Sequence, residues 1–189
     1  YMQENDQLLY DFSKIKLIIF DFDGVFTDNT SFIFNLEGKS IEGCFCSHAD
    51  GASISNLKQT GDVDMVILTS QRANYPDARA KKLGIQLIRN SSKSESGYVQ
   101  GKVDIVKQIS KERNIPMGEI AYVGNDVHDV LVMKEVDLPI AVADAEPCVK
   151  EVAKYISLRP GGKGALRDIC DTFLIAKGHI KTKVFVEKI

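Results

Sequence analysis

Ile15-Lys16-Leu17-Ile18-Ile19-Phe20 runs without interruption into Asp21-Phe22-Asp23-Gly24-Val25-Phe26-Thr27-Asp28. The first six residues are mostly β-branched or aromatic and read as a short buried strand. Two carboxylates one residue apart then stand at its C-terminal end, the edge at which open parallel sheets bind ligands. Gly24 lets the chain turn away. Acids so close repel each other unless a positive group lies between them, and a hard divalent cation with oxygen ligands answers that need. An Asp held on Mg²⁺ in a cleft is also suited to act as a nucleophile in phosphoryl transfer. Taken alone, Asp-x-Asp-Gly is ordinary turn composition, so the decision rests on the rest of the chain.

Outward from this stretch, strand-like and helix-like segments alternate. Ser31–Phe34 and Ile41–Phe45 flank a glycine-containing turn and predict a β-hairpin. Residues 52–59 predict a short helix ending near Gly61, and 63–68 a second buried strand closing on Thr69-Ser70. Residues 76–83 predict a helix with Pro76 in its first turn and Gly84 after its end. A weaker strand at 85–88 and a polar loop at 89–100 precede an amphipathic helix at 102–113. Strands at 120–123 and 138–142 alternate with helices at 127–135, 149–155 and 165–176. The alternation predicts an α/β fold: a doubly wound, Rossmann-like parallel sheet with a small β-hairpin insertion after the first strand. Three units follow: a tail or linker over 1–14, one domain over 15–178 and a C-terminal tail over 179–189. The opening Tyr1 reads as the start of a piece of a longer protein.

The chain has 189 residues, 44% of them hydrophobic and 26% charged, ordinary for one globular domain with a proper core. A net charge of −2 gives no broad basic footprint, against nucleic acid as the main partner. No apolar run approaches the roughly 18 residues of a membrane span, and no signal-peptide pattern opens the chain. The expected location is cytoplasmic. Cys44, Cys46, Cys148 and Cys170 lack zinc-type spacing and read as reduced, packed thiols, the first two on one face of a strand and the others on helices.

Three further strand ends carry chemistry. Thr69 offers a hydroxyl for a phosphate oxygen, although such a residue also caps helices. Lys102, read as the start of a helix, is slightly misplaced against the helix dipole unless it serves to neutralise phosphate and aspartate charge. Gly124-Asn125-Asp126-Val127-His128-Asp129 reads as a tight turn into a helix, with oxygen side chains on the crevice.

In this order and spacing the motifs resemble the four signatures of the haloacid dehalogenase (HAD) superfamily, over residues 15–178. More narrowly the chain resembles its small capless branch, the 3-deoxy-D-manno-octulosonate 8-phosphate (KDO-8-phosphate) phosphatases and the phosphatase-like domains of acylneuraminate cytidylyltransferases. Asp50-Gly51, Ala121-Tyr122-Val123-Gly124, Val142-Ala143-Asp144-Ala145 and Gly161-Gly162-Lys163-Gly164-Ala165-Leu166-Arg167 carry that likeness. The resemblance implies Asp21 as nucleophile, Asp23 as general acid and base, and Thr69 and Lys102 as holders of the transferred phosphoryl group. It implies Mg²⁺ on Asp21, Asp23, Asn125 and Asp126, and substrate contacts from Gly24, Ser70, Arg72 and Lys163.

The implied activity is Mg²⁺-dependent hydrolysis of a phosphorylated 3-deoxy-2-ulosonic acid through an aspartyl-phosphate. The implied assembly is a homotetramer whose subunits cover one another's sites, with the apolar Phe32-Ile33-Phe34 asking for cover and the Ile180–Ile189 tail able to reach a neighbour. Residues 161–164 with Lys163 and Arg167 could take a substrate carboxylate at a helix N-terminus. Two departures stand out. Asn125 replaces a usual metal-binding Asp, and Thr69-Ser70-Gln71-Arg72 replaces Thr-Gly-Arg, displacing the arginine by one position. Asn125 is also the residue that favours the competing reading, a weak or inactive HAD-like oligomerisation domain of an acylneuraminate cytidylyltransferase.

Overall fold

The computed structural model describes residues 2–90 and 98–181. In chain order it forms α1 (Met2–Lys14), β1 (Leu17–Phe20), the hairpin strands β2 (Phe32–Leu36) and β3 (Lys39–Gly43), and α2 (His48–Thr60). Then come β4 (Asp64–Thr69), α3 (Tyr75–Leu83), β5 (Gln86–Arg89), α4 (Tyr98–Arg113) and β6 (Ile120–Gly124). The chain closes with α5 (Val130–Met133), β7 (Leu138–Ala141), α6 (Pro147–Val152), β8 (Tyr155–Ile156) and α7 (Ala165–Ala176).

Six strands make one sheet in the order β5-β4-β1-β6-β7-β8, and every pairing is parallel. All residues of β1, β6 and β7 are buried, as are five of the six in β4. Continuous apolar runs of this kind are what a sheet covered on both faces demands. The doubly wound expectation therefore holds. The first strand is central, and its end lies between those of β4 and β6.

The hairpin stands apart from this sheet as a two-stranded antiparallel pair. Its turn residues, Glu37 and Gly38, both take positive φ (49° and 79°), the geometry a two-residue hairpin turn needs.

Of residues 1–14, expected as a tail or linker, Met2–Lys14 form α1. Leu8, Phe12 and Ile15 recur at helical spacing, and Phe12 and Ile15 have no exposed surface. Phe12 packs on Phe173 of α7 at 4.6 Å between ring centroids and edge-on to Tyr155 at 5.3 Å. One apolar stripe in a polar segment thus anchors it.

Three smaller corrections follow. Tyr155 ends no helix: Lys154 N–H donates to Pro139 O (2.9 Å) and Ser157 N–H to Ala141 O (2.9 Å), so the chain pairs with β7. Residues 127–135 form a 3₁₀ turn at Val127–Asp129 before the short α5. Cys44 and Cys46 lie beyond the end of β3, although all four cysteines are free, as expected. Among the described residues no helix is long and apolar enough to cross a membrane. Most of the 180–189 tail lies outside the described residues.

Candidate active site

Parallel pairing brings the ends of β1, β4 and β6 side by side. Asp21 N–H donates to Val123 O (2.9 Å), extending the strand direction by one residue. Side chains alternate along such a segment, so Phe22 is buried while Asp21 and Asp23 turn the other way. These two aspartates line a cavity of about 350 Å³ together with Thr69, Ser70, Arg72, Lys102, Asn125 and Asp126. The structure thus brings eight of the ten expected site residues together, from four separate segments.

Lys102 is the charge that organises the cavity. It lies in the second turn of α4 rather than at the helix start, because α4 begins four residues earlier, at Tyr98. Its ammonium is 3.0 Å from Asp21 Oδ1 and 2.8 Å from Asp129 Oδ1, with the lysine side chain only 5% exposed. Asp129 has no exposed surface at all. Its Oδ1 also accepts from the Tyr122 hydroxyl (2.8 Å), and its Oδ2 from the N–H groups of Asn125 (3.0 Å) and Asp126 (3.2 Å). A buried carboxylate so fully paired is a fixed anchor, and it aims Lys102 at Asp21. Burial pulls the Lys102 ammonium down, but the two carboxylates outweigh it and hold the lysine charged. Burial pushes the Asp21 carboxyl up to about 7, against the opposing pull of Lys102.

Asp23 sits beside a second polar group. The Tyr75 hydroxyl donates to Asp23 Oδ1 (3.2 Å), and Tyr75 in turn accepts from the Gln71 side chain. Burial raises the Asp23 carboxyl and the Tyr75 hydrogen bond opposes that rise. Thr69 is buried, and its hydroxyl oxygen accepts from Gln71 N–H (3.0 Å), which fixes the hydroxyl at the cavity wall.

Among the described residues no three His, Cys, Asp or Glu side chains are grouped to hold a metal ion. Any cation must therefore use oxygens of mixed kind, and one such oxygen is waiting. Asn125 Oδ1 is buried and has no hydrogen-bond partner, a costly state for an amide oxygen. Asp126, by contrast, spends Oδ1 on Val127 N–H (2.6 Å) as the cap of the 3₁₀ turn. An orphaned amide oxygen beside Asp21 and Asp23 fits a hard, oxygen-seeking cation such as Mg²⁺. Gly24 supports this wall from behind. Its φ is +76°, and a side chain there would begin 1.9 Å from the Asn125 amide nitrogen.

Two expected substrate residues are not at the cavity. Gly24 packs on Asn125 instead of lining the space, and Lys163 is exposed and faces Asp28 at 3.5 Å. The glycine-rich run at 161–164 braces the loop after β1: Gly162 N–H donates to Val25 O (3.1 Å), and a side chain at Gly161 would start 1.8 Å from Gly24 O. The N-terminus of α7 is already taken. Asp50 accepts from Gly164 N–H (3.2 Å) and Arg167 N–H (2.8 Å), leaving no place there for a substrate carboxylate. Sequence reasoning missed Asn29, Gln71 and His128 on the cavity wall and Tyr75 beside it. Gln71 and His128 stand inside the 69–72 and 124–129 stretches but were given no role there; Asn29 and Tyr75 belong to no motif, and only the fold joins them to the aspartates.

Residues 98–164 match the model of the haloacid dehalogenase-like hydrolase family. The 3-deoxy-D-manno-octulosonate 8-phosphate phosphatase of Yersinia pestis is 33% identical over 177 residues, 93% of this chain and 88% of that protein. The chain belongs to the haloacid dehalogenase-like hydrolases. The Escherichia coli K12 enzyme of the same description is 32% identical over 88% of this chain and 83% of its own length. Among solved structures, the Moraxella catarrhalis phosphatase in complex with magnesium ion, phosphate ion and KDO superposes with a TM-score of 0.80. It shares 28% identity, with 97% of this chain and 98% of that one covered. A cobalt-bound Haemophilus influenzae relative reaches 0.76 at 27% identity over 93% and 95%. Within this hydrolase family the chain is thus most simply read beside phosphomonoesterases that carry a divalent ion.

Proposed function

We propose that this chain is a Mg²⁺-dependent phosphatase acting on a phosphorylated 3-deoxy-2-ulosonic acid, KDO-8-phosphate or a nonulosonate 9-phosphate, through an aspartyl-phosphate on Asp21. The observation that carries the proposal is the buried Lys102 ammonium, held by Asp129 and pointed at Asp21 where a phosphoryl group would sit. The relatives' named substrate supplies the sugar acid.

In the first half-reaction an Asp21 oxygen attacks phosphorus, the bond from phosphorus to the ester oxygen breaks, and protonated Asp23 gives its proton to the leaving alcohol. In the second, Asp23 carboxylate takes a proton from water as that water attacks phosphorus. Phosphate leaves, and both aspartates are restored. Lys102 and Thr69 hold the phosphoryl oxygens throughout, so the work is positioning and charge stabilisation. Asp21, Asn125 Oδ1 and the Asp23 main-chain carbonyl, with Asp126 nearby, would hold Mg²⁺, which would supply further positive charge for those oxygens. Arg72 and Ser70, at the mouth of the cavity, face the sugar-acid end of the substrate.

The hairpin favours an assembly, proposed as a homotetramer. Phe32, Phe34, Leu36 and Ile41 share one face of the hairpin and are open, with Phe45 (75% exposed) against Phe32, and Ile33 (69%) stands on the other face, so one face is apolar and uncovered. The competing reading, an inactive oligomerisation domain, rests on Asn125; the orphaned Oδ1 and the intact Asp21–Lys102–Asp129 chain favour catalysis.

The test is phosphate release from KDO-8-phosphate, N-acetylneuraminate 9-phosphate and hexose phosphates, with Mg²⁺ and with a chelator. Turnover on a sugar-acid phosphate that vanishes with chelator is expected. No Mg²⁺-dependent release from any of them overturns the enzyme reading, and gel filtration at monomer mass overturns the assembly.

A further inference from the structure

Gln71 stands in the segment that departs from the family pattern, and its side chain is unusually committed for a residue on a cavity wall. Its Oε1 accepts from the N–H groups of both Arg72 (2.8 Å) and Ala73 (3.1 Å). With the carbonyl end so fixed, the amide nitrogen is the free end: it donates to the Tyr75 hydroxyl and also lies towards the Asp23 carboxylate. A phenol that accepts from Gln71 must point its own proton elsewhere, and that proton goes to Asp23 Oδ1. The relay therefore has one direction: Gln71 to Tyr75 to Asp23. Its base is rigid. Arg89, at the end of β5, donates to Gln71 O and to Ala73 O (2.9 Å), and pairs with Asp77 of α3. The Tyr75 ring lies 5.8 Å from that of buried Phe22, between the two aspartates.

We infer that Gln71 and Tyr75 are positioning residues that hold Oδ1 of Asp23 as an acceptor, so that the other carboxyl oxygen carries the proton to the leaving alcohol. This rests on the phosphatase reading above. A carboxyl group free to rotate offers its proton in the wrong direction much of the time; one oxygen tied to a phenol O–H does not. The loop after Thr69 thus does for the acid what Asp129 does for Lys102: a fixed partner aims a mobile group. It also gives the Gln71 departure a function that the displaced arginine does not explain.

Leaving-group chemistry tests this. An alkyl phosphate needs the proton from Asp23, whereas p-nitrophenolate departs without one. For Tyr75→Phe, which keeps the ring, the ratio of kcat on the sugar-acid phosphate to kcat on p-nitrophenyl phosphate should fall about tenfold, with KM for the sugar-acid phosphate held within about twofold. In an Asp23→Asn background, Tyr75→Phe should change that ratio no further. Gln71→Glu keeps the acceptor for Arg72 and Ala73 N–H but removes the donor to Tyr75, so the hydroxyl turns away from Asp23; the same fall is expected, and this variant carries the test if Tyr75→Phe does not fold. An unchanged ratio in the folded variants, or an equal loss on both substrates, overturns the relay while leaving the phosphatase reading intact. A wild-type protein inactive on every phosphate ester overturns both.

Discussion

Two aspartates, one buried and one mostly buried, mark opposite uses of the same side chain. Asp50 lies under the N-terminus of α7, 1% exposed, with one oxygen on Arg167 N–H and the other on Gly164 N–H. Asp21 lies at the sheet edge with Lys102 on one oxygen and the cavity before it. Burial raises both carboxyls. What differs is how the charge is met. Main-chain N–H groups consume the acceptor capacity of Asp50 and tie two helices together, while Asp21 keeps an oxygen open towards the space a phosphoryl group would fill. A buried acid is structural when its neighbours satisfy it and reactive when they aim it.

Substitution should separate the two sharply. Asp21→Asn removes the proposed nucleophile and should lower turnover by at least about a thousandfold in a folded protein, read as phosphate release and circular dichroism. Retained turnover would remove Asp21 from the role and the contrast with it. Lys102→Met comes next. It leaves Asp21 and Asp129 buried without their cation, so unfolding free energy should drop by about 3 kcal/mol in chelator, and turnover by about a hundredfold with Mg²⁺. Loss of activity without loss of stability would mean that Asp129 is content without the ammonium.

The sheet and the reactive corner were legible because both leave short-range marks. Continuous apolar runs at 17–20, 65–68 and 120–123 announce buried parallel strands, and polar residues at their ends announce the crevice. Asp21, Thr69, Lys102 and the 124–129 turn could thus be found one motif at a time. The role of Asp129 as the anchor of Lys102 could not, since 27 residues and two elements separate them. Tyr75 is further out of reach: it stands 52 residues from Asp23, ahead of a proline that reads only as a helix start. Helix α1 was hidden differently. Its polar majority masks an apolar stripe of Leu8 and Phe12, continued by Ile15 just past its end, and only the complementary stripe on α7 shows where it goes. Lys163 lies off the cavity and Asp50 already occupies the α7 N-terminus; a glycine-rich, basic run looks like an anion site whether or not a carboxylate from another helix fills it.

Asp50→Ala should cost about 2 kcal/mol of unfolding free energy, since it leaves two N–H groups of α7 without their acceptor, while turnover per folded molecule stays near the wild-type value. A large fall in specific activity would instead bring the α7 N-terminus back into the substrate site. The smallest expected effect is also the most exacting for the comparison. Burial raises the folded-state pKa of Asp50 above 3.8, with the Arg167 and Gly164 N–H groups, Ser47 and Arg79 pulling the other way. A raised folded value means that folding favours the protonated acid, a contribution fully present below the unfolded value and lost as pH rises through the folded one. Asp50→Asn does not titrate. The stability of the wild-type protein relative to Asp50→Asn should therefore decline as pH rises from about 4, in urea unfolding curves taken in steps to pH 8. A relative stability that climbs instead would show the helix N-terminus outweighing burial, and the structural acid would then be the better solvated of the two.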